Sequence, residues 1–248
     1  MKITVIYGTH RKSKSSTYNI AQQFIERLSG TDAVTEFFLP ESMPNFCIGC
    51  WNCFTDHRKC PDYGYLKPMV EAMLEAELLI FTAPVYVYHV PGQVKAFLDH
   101  FGYQWMPHQP RKEMFGKQAL LISTAAGGGT KTALKDLKDS MTFWGVAHIH
   151  TFGRNVYASD WDTVEDERKQ RFQKDIDRLS LKIKETGRRI RPSFKVKALF
   201  YAMRFMNKKF KFNAADVQYW EAQGWLGKER PWQSPVKTMR KRSQIRGG

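Results

Sequence analysis

With 248 residues, 42% of them hydrophobic, the chain can build a packed core and is too apolar to stay disordered. Its net charge of +15 is uneven: residues 187–248 hold 16 Lys/Arg against 3 Asp/Glu, a net of +13, whereas residues 1–186 hold 23 against 21, a net of +2. The longest apolar stretch, Leu78 to Val90, is broken by Pro84 and His89 and is too short to span a bilayer. The start MKITVIYGTH lacks the apolar run and small-residue cleavage site of a secretory leader, so the expected location is cytoplasmic.

In chain order, Lys2 to Tyr7 reads as a buried, β-branched strand, followed by the polar loop Gly8 to Thr17. A helix is expected over Tyr18 to Leu28, with Ile20, Ala21, Phe24, Ile25 and Leu28 on one face and Ser16 or Thr17 as its cap. Val34 to Leu39 is a second strand, and a loop with all four cysteines follows. A helix over Leu66 to Ala76 leads to a third strand, Glu77 to Thr82, apolar through its middle as a strand covered on both faces should be. Then come a short helix over Val94 to Phe101 and a fourth strand, Gln118 to Thr124, that runs into Ala125 to Gly129. A helix over Thr130 to Phe143, a fifth strand over Ala147 to Val156 and a long charged helix over Asp162 to Thr186 complete the series. Five alternations of strand and helix predict an α/β fold: a doubly wound, five-stranded parallel sheet over residues 1–186, with a basic, mainly helical extension over 187–248. Such sheets bind ligands beyond the carboxyl ends of their strands, which points to loops 8–17, 82–92 and 124–130.

The first loop carries the hydroxyls Thr9, Ser13, Ser15, Ser16 and Thr17 beside Arg11, Lys12 and Lys14, and it enters a helix whose free N–H groups favour an anion. It has neither GxxxxGK[ST] nor GxGxxG. A terminal phosphate held by hydroxyls fits a mononucleotide such as FMN, and an ordinary capped βα loop is the competing reading. In the second loop Pro84, Val85, Tyr86, Val87 and Tyr88 can face a flat ring, with Tyr86 or Tyr88 stacking on it or merely packing the strand end. In the third, Thr124, Ala125, Gly127 and Gly128 allow close backbone approach.

Gly8-Thr9-His10-Arg11-Lys12 with Ser16-Thr17, the stretch ELLIFTAPVYVYHVPGQVKAFLDH (77–100) and STAAGGG (123–129) resemble the NADPH-dependent FMN reductase family, which is flavodoxin-like. Ala83 and His100 replace the family's usual Ser and Arg, and the first loop carries about one extra residue. The resemblance implies bound FMN, NAD(P)H as cosubstrate and hydride transfer through the flavin to an acceptor such as flavin or quinone. It also implies a homodimer. It places FMN contacts at Thr9, Arg11, Ser15, Ser16, Thr17, Pro84 to Tyr88, Thr124, Ala125, Gly127 and Gly128. The flavin does the chemistry, so no general acid or base is expected, and no GxSxG elbow is present.

Cys47-x2-Cys50-x2-Cys53-x6-Cys60 crowds every cysteine into 14 residues, which argues for metal or redox chemistry. The spacing resembles iron-sulfur flavoproteins, in which all four would hold a four-iron, four-sulfur cluster beside FMN. The same loop also resembles cluster-free relatives with C-x-G-C-x-x-C, in which Ile48, Trp51 and Phe54 would serve packing. Zinc sites usually pair two cysteine hairpins across a longer gap.

Phe194 to Phe212 is amphipathic, with Val196, Leu199, Phe200, Met203, Met206 and Phe210 on one face and Lys197, Arg204, Lys208, Lys211 and Tyr201 on the other. Packing on the domain or a second subunit ranks first, peripheral membrane contact through 194–212 second, and nucleic acid last, because no recognition motif accompanies the charge. Asp216 to Leu226 resembles a motif, D-x-x-Y-W-x-x-x-G-W, of some bacterial members, and Lys228 to Gly248 reads as a solvated tail. Three functions result: an FMN-dependent NAD(P)H oxidoreductase, an iron-sulfur electron carrier, or a non-catalytic adaptor at membrane or nucleic acid.

Overall fold

The computed structural model describes residues 1–233; the greater part of the expected tail, 234–248, lies outside the described residues. Five strands, β1 (Ile3–Tyr7), β2 (Val34–Phe38), β3 (Leu78–Pro84), β4 (Gln118–Ala125) and β5 (His148–Asn155), form one parallel sheet in the order β2-β1-β3-β4-β5. Among the described residues, seven α-helices accompany them: α1 (Ser16–Leu28), α2 (Tyr63–Glu75), α3 (Gly92–Asp99), α4 (Thr130–Phe143), α5 (Asp166–Gly187), α6 (Phe194–Lys209) and α7 (Ala214–Ala222).

Side chains alternate across a strand, so each strand feeds two cores. Leu78, Ile80, Leu120 and Ile122 point to the side covered by Phe24 of α1 and Phe172 and Ile176 of α5. Leu79, Phe81, Ala119 and Leu121 point to the side covered by Met69 and Met73 of α2, Phe97 of α3 and Leu137 of α4. This is the doubly wound arrangement the strand pattern predicts, in the flavodoxin-like form the family resemblance implies. The strand order reverses between β1 and β3, where such sheets open a ligand crevice.

The differences from the expected boundaries have local causes. α1 begins at Ser16 because Ser15, extended at φ −84°, is the cap in place of Ser16 or Thr17. β3 runs on to Pro84 because Ala83 and Pro84 still pair with Ser123 and Thr124. α5 begins at Asp166, as Trp161–Thr163 forms a separate 3-10 turn. α6 ends at Lys209, short of Phe212, and Lys211 turns left-handed at φ +49°.

The extension builds a third core on the domain. Val196 and Phe200 of α6 pack with Trp220, Trp225, Met106 and Phe115. Two residues leave the faces assigned to them. Phe210 is exposed, because the helix has ended before it. Arg204 turns inward and donates to the carbonyls of Trp225, Leu226 and Gly227, which satisfies backbone acceptors in the turn after α7. Nor does the solvated tail begin at Lys228. Trp232 is half-buried against Phe115 and Phe200.

Candidate functional site

The loops after β1, β3, β4 and β5 meet in an open cleft of about 170 Å³, lined by Thr9, Arg11, Ser15, Ser16, Pro84, Val85, Tyr86, Thr124, Ala125, Ala126, Val156, Ala158 and Ser159. Its floor is closely built. At Gly8 a Cβ would lie 2.4 Å from the Thr82 carbonyl oxygen and 2.5 Å from Val94 Cγ2, so only glycine lets β1 pass this close to β3 and α3. Gln93 of α3 donates to the Gly8 carbonyl at 2.9 Å.

Beyond Gly8 the loop makes a 3-10 turn, Lys12–Lys14, and delivers Ser15 to the start of α1. Ser15 Oγ accepts from Tyr18 N at 3.5 Å and shares a hydrogen bond with Thr17 Oγ1 at 2.9 Å. Hydroxyls at a helix N-terminus, where the first N–H groups lack intrahelical acceptors, form a donor set for a phosphate. Arg11 pairs with Asp160 and donates to the Ser159 carbonyl at 3.0 Å, tying the β1 loop to the β5 loop.

After β3, Tyr86 and His89 exchange backbone hydrogen bonds of 3.0 and 3.1 Å around Val87 and Tyr88, both left-handed, at φ +46° and +66°. This is the geometry of a two-residue hairpin that usually takes Asn-Gly. Holding Val and Tyr there costs on the order of 1–3 kcal/mol per residue. Gly129 lies behind the hairpin, where a Cβ would come within 2.7 Å of Val85 Cγ1, and His89 Nδ1 meets Asp136 of α4 at 3.0 Å.

Nine of the expected residues thus line the cleft: Thr9, Arg11, Ser15, Ser16, Pro84, Val85, Tyr86, Thr124 and Ala125. Five do not. Thr17 is buried behind Ser15; Val87 and Tyr88 project at the hairpin tip; Gly127 and Gly128 form an outer lip, where Asn155 donates to the Gly127 carbonyl at 2.9 Å. Ala126, Val156, Ala158 and Ser159 were missed. The signal available for the last three was a polar Ser159-Asp160 turn just past the fifth strand.

The four cysteines surround a second cavity of about 230 Å³, closed by Pro61, Asp62, Asp99, His100 and Gly102. Burial, then the nearby sulfurs of Cys60, Cys47 and Cys50, push the Cys53 thiol up to about 11. Burial also raises Cys60. His100 is buried, with Nδ1 at 2.8 Å from the Ala96 carbonyl and Nε2 at 3.0 Å from Asp62. Burial opposes ionisation of Asp62, but hydrogen bonds from Asn45 and His100 hold its carboxyl below the usual range. Among the described residues, Cys60, Asp62 and His100 form the one set of three metal-ligating groups within 4.8 Å of one another. No three of the cysteine sulfurs stand within 4.8 Å of one another, whereas a tetrahedral zinc with Zn–S bonds of about 2.3 Å would hold four of them closer than that. The cavity fits a larger sulfur-ligated group better.

α3 joins the two cavities. It starts at the cleft through Gln93 and ends at the cysteine cavity with Asp99, a span of about 12 Å at 1.5 Å per residue. The extension reaches the cysteine loop through residues 107–110. Asp216 accepts from His108 Nδ1 at 2.8 Å, Trp220 Nε1 donates to the His108 carbonyl at 2.7 Å, and Tyr219 Oη donates to the Pro110 carbonyl at 2.7 Å. Gln109 in turn donates to the Phe54 carbonyl at 2.8 Å, and His108 sits edge-on to Phe54. The Asp-x-x-Tyr-Trp motif therefore clamps the segment that supports Cys53.

A family model described as NADPH-dependent FMN reductase matches residues 1–162. An iron-sulfur flavoprotein of Archaeoglobus fulgidus is 24% identical over 233 residues, 91% of this chain and 100% of that protein. An FMN-dependent NADH:quinone oxidoreductase of Pseudomonas putida is 26% identical over 178 residues, 62% of this chain and 89% of that protein. The solved FMN-dependent NADH-azoreductase of Bacillus anthracis, at 12% identity, shares the fold with a TM-score of 0.56, covering 74% of this chain and 99% of that one. No helix among the described residues is long and apolar enough to cross a membrane.

Proposed function

The chain belongs to the NADPH-dependent FMN reductase family of FMN-binding oxidoreductases, and from that premise we propose that the cleft holds FMN and serves electron transfer from NAD(P)H to a small acceptor such as a quinone or a free flavin. One observation carries the placement: hydroxyls of Thr9, Ser15 and Ser16 and the start of α1 face the same cleft as the β3 and β4 loop residues Pro84 to Tyr86 and Thr124 to Ala126. Ser15 and Ser16 donate to the phosphate, and the α1 terminus favours its negative charge. The Arg11–Asp160 pair holds the cleft's two walls at a fixed spacing. Pro84 to Tyr86 and Thr124 to Ala126 orient the ring and shield one side from water. Bound there, FMN supplies acceptance of a hydride and release of its electrons. The Pseudomonas putida relative's name motivates quinone as the acceptor class. The apolar side chains of Phe46, Ile48, Trp51 and Val87, all more than 70% exposed, suit a homodimer interface, which the native mass would test.

Anaerobic titration with FMN checks this reading. One FMN per chain, with quenched flavin fluorescence and NAD(P)H oxidation that depends on added quinone, is expected. A colourless protein that takes up no FMN sinks it.

A second reading has its own observation. All four cysteines line one cavity, in which burial raises the Cys53 and Cys60 thiols, and a cationic cluster core would offset that penalty. We assign Cys47, Cys50, Cys53 and Cys60 as ligands of a four-iron, four-sulfur cluster that relays electrons from the cleft, in keeping with the name of the Archaeoglobus fulgidus relative.

A further inference from the structure

The C-terminal end of α6 carries an apolar cluster that the extension's core does not use. Phe205, Phe210 and Phe212 are 56%, 47% and 79% exposed. Phe210 and Phe212 stack with ring centroids 5.4 Å apart, and Phe205 meets Phe210 edge-on at 6.3 Å. The left-handed turn at Lys211 makes this possible, because it brings Phe212 back onto Phe210 instead of carrying the helix onward.

Three exposed lysines, Lys208, Lys209 and Lys211, are interleaved with these rings. The Lys209 ammonium lies 5.5 Å from the Phe205 centroid and 5.4 Å from that of Phe210. None of the three is ion-paired among the described residues. No Asp or Glu occurs between Glu185 and Asp216, nor anywhere in 234–248. The knuckle therefore has the composition of an interfacial anchor: aromatic rings able to enter an acyl boundary, and long lysine stems whose ammonium groups stay at headgroup level.

Its chemistry discriminates between occupants. The buried centre of a protein interface is depleted in lysine, whereas here lysine and phenylalanine alternate at the centre of the patch. A single-stranded nucleic acid needs a groove that follows its backbone, whereas these rings crown a helix tip and already stack on each other. A flat anionic surface meets both requirements, and the net +13 of residues 187–248 draws the chain toward it.

We propose that the Phe205/Phe210/Phe212 knuckle with Lys208, Lys209 and Lys211 docks the protein on an anionic lipid bilayer. This is independent of the flavin reading. Co-sedimentation of the full chain with vesicles tests it, comparing equimolar phosphatidylcholine and phosphatidylglycerol with phosphatidylcholine alone. Binding to the anionic vesicles only is expected, weakening as salt screens the charges. F210S/F212S should lower partition roughly tenfold or more. K208Q/K209Q/K211Q should lower it roughly fivefold per charge removed. Both sets lie outside the cores, so circular dichroism and melting temperature should match the parent. Equal binding to the two vesicle types overturns the proposal, as does wild-type partition by F210S/F212S. If F210S/F212S leaves vesicle binding intact but lowers the native mass, or the affinity for a single-stranded oligonucleotide, the occupant is a second copy or a nucleic acid, and the proposal falls.

Discussion

The cleft and the cysteine loop are both irregular segments at strand ends, yet they are held in different ways. The cleft is set by regular structure. Its residues are the last of β3 and β4 and the first of α1, registered by the sheet and fixed at Gly8 by contacts too tight for any Cβ. The cysteine loop has only two 3-10 turns of its own and exposes Phe46, Ile48 and Trp51. Asn45 and Asp62 tie its two ends together, and its other support comes from elsewhere: His100 on Asp62, Gln109 on Phe54, and behind Gln109 the extension. A ligand site made from strand ends is formed before its ligand arrives. A loop made of thiols and exposed rings gains order from what it binds.

The strongest way to break this contrast is to remove a thiol. In the cluster reading, Cys53→Ser should take iron from about four atoms per chain to essentially none. It should also speed amide exchange across residues 44–62, while FMN per chain stays unchanged. Elemental analysis, the flavin spectrum and hydrogen exchange on anaerobically purified protein check it. Iron absent from the parent as well would leave the loop a packing element.

The next effect is on the loop's indirect support. Trp220 is fully buried, stacks on Phe200 at 5.0 Å and donates to the His108 carbonyl. Trp220→Ala should cost about 3–5 kcal/mol within the extension. Exchange should rise over 102–116 and then in the cysteine loop, with the FMN dissociation constant unmoved. A change confined to α6 and α7 would show that the clamp does not reach Cys53.

Much of the fold was legible because β1, β3 and β4 carry apolar runs and α1, α2 and α4 show apolar stripes. The cleft was legible where it is made of strand ends, at Pro84 to Tyr86 and at Thr124 and Ala125. Its β5 wall was not, because Arg11 and Asp160 meet across 149 positions of sequence, and no local pattern encodes that pair. The hairpin at Val87 and Tyr88 was hidden for the opposite reason. Neither residue type favours a left-handed turn, so packing against Gly129 and the His89–Asp136 contact must impose it. The end of α6 was missed because no Gly or Pro marks it. Among the described residues of the stretch from Lys228, the surface-like reading fails at Pro231, which is buried, and at Trp232, half-buried against Phe115 and Phe200.

The smallest effect is the sharpest test of the cleft. Ser15 Oγ caps α1 only weakly, through a 3.5 Å contact with Tyr18 N, so Ser15→Ala should cost about 1 kcal/mol of stability or less. If the same hydroxyl donates to a phosphate, FMN affinity should fall roughly tenfold, the value of one hydrogen bond to a charged group. Riboflavin, which has the ring and the ribityl chain but no phosphate, separates the two roles. Its affinity should be the same for Ser15→Ala and the parent. Equal losses for FMN and riboflavin would mean that the substitution acts through the fold of the loop, and the phosphate would then have to be assigned to Thr9 or Ser16 instead.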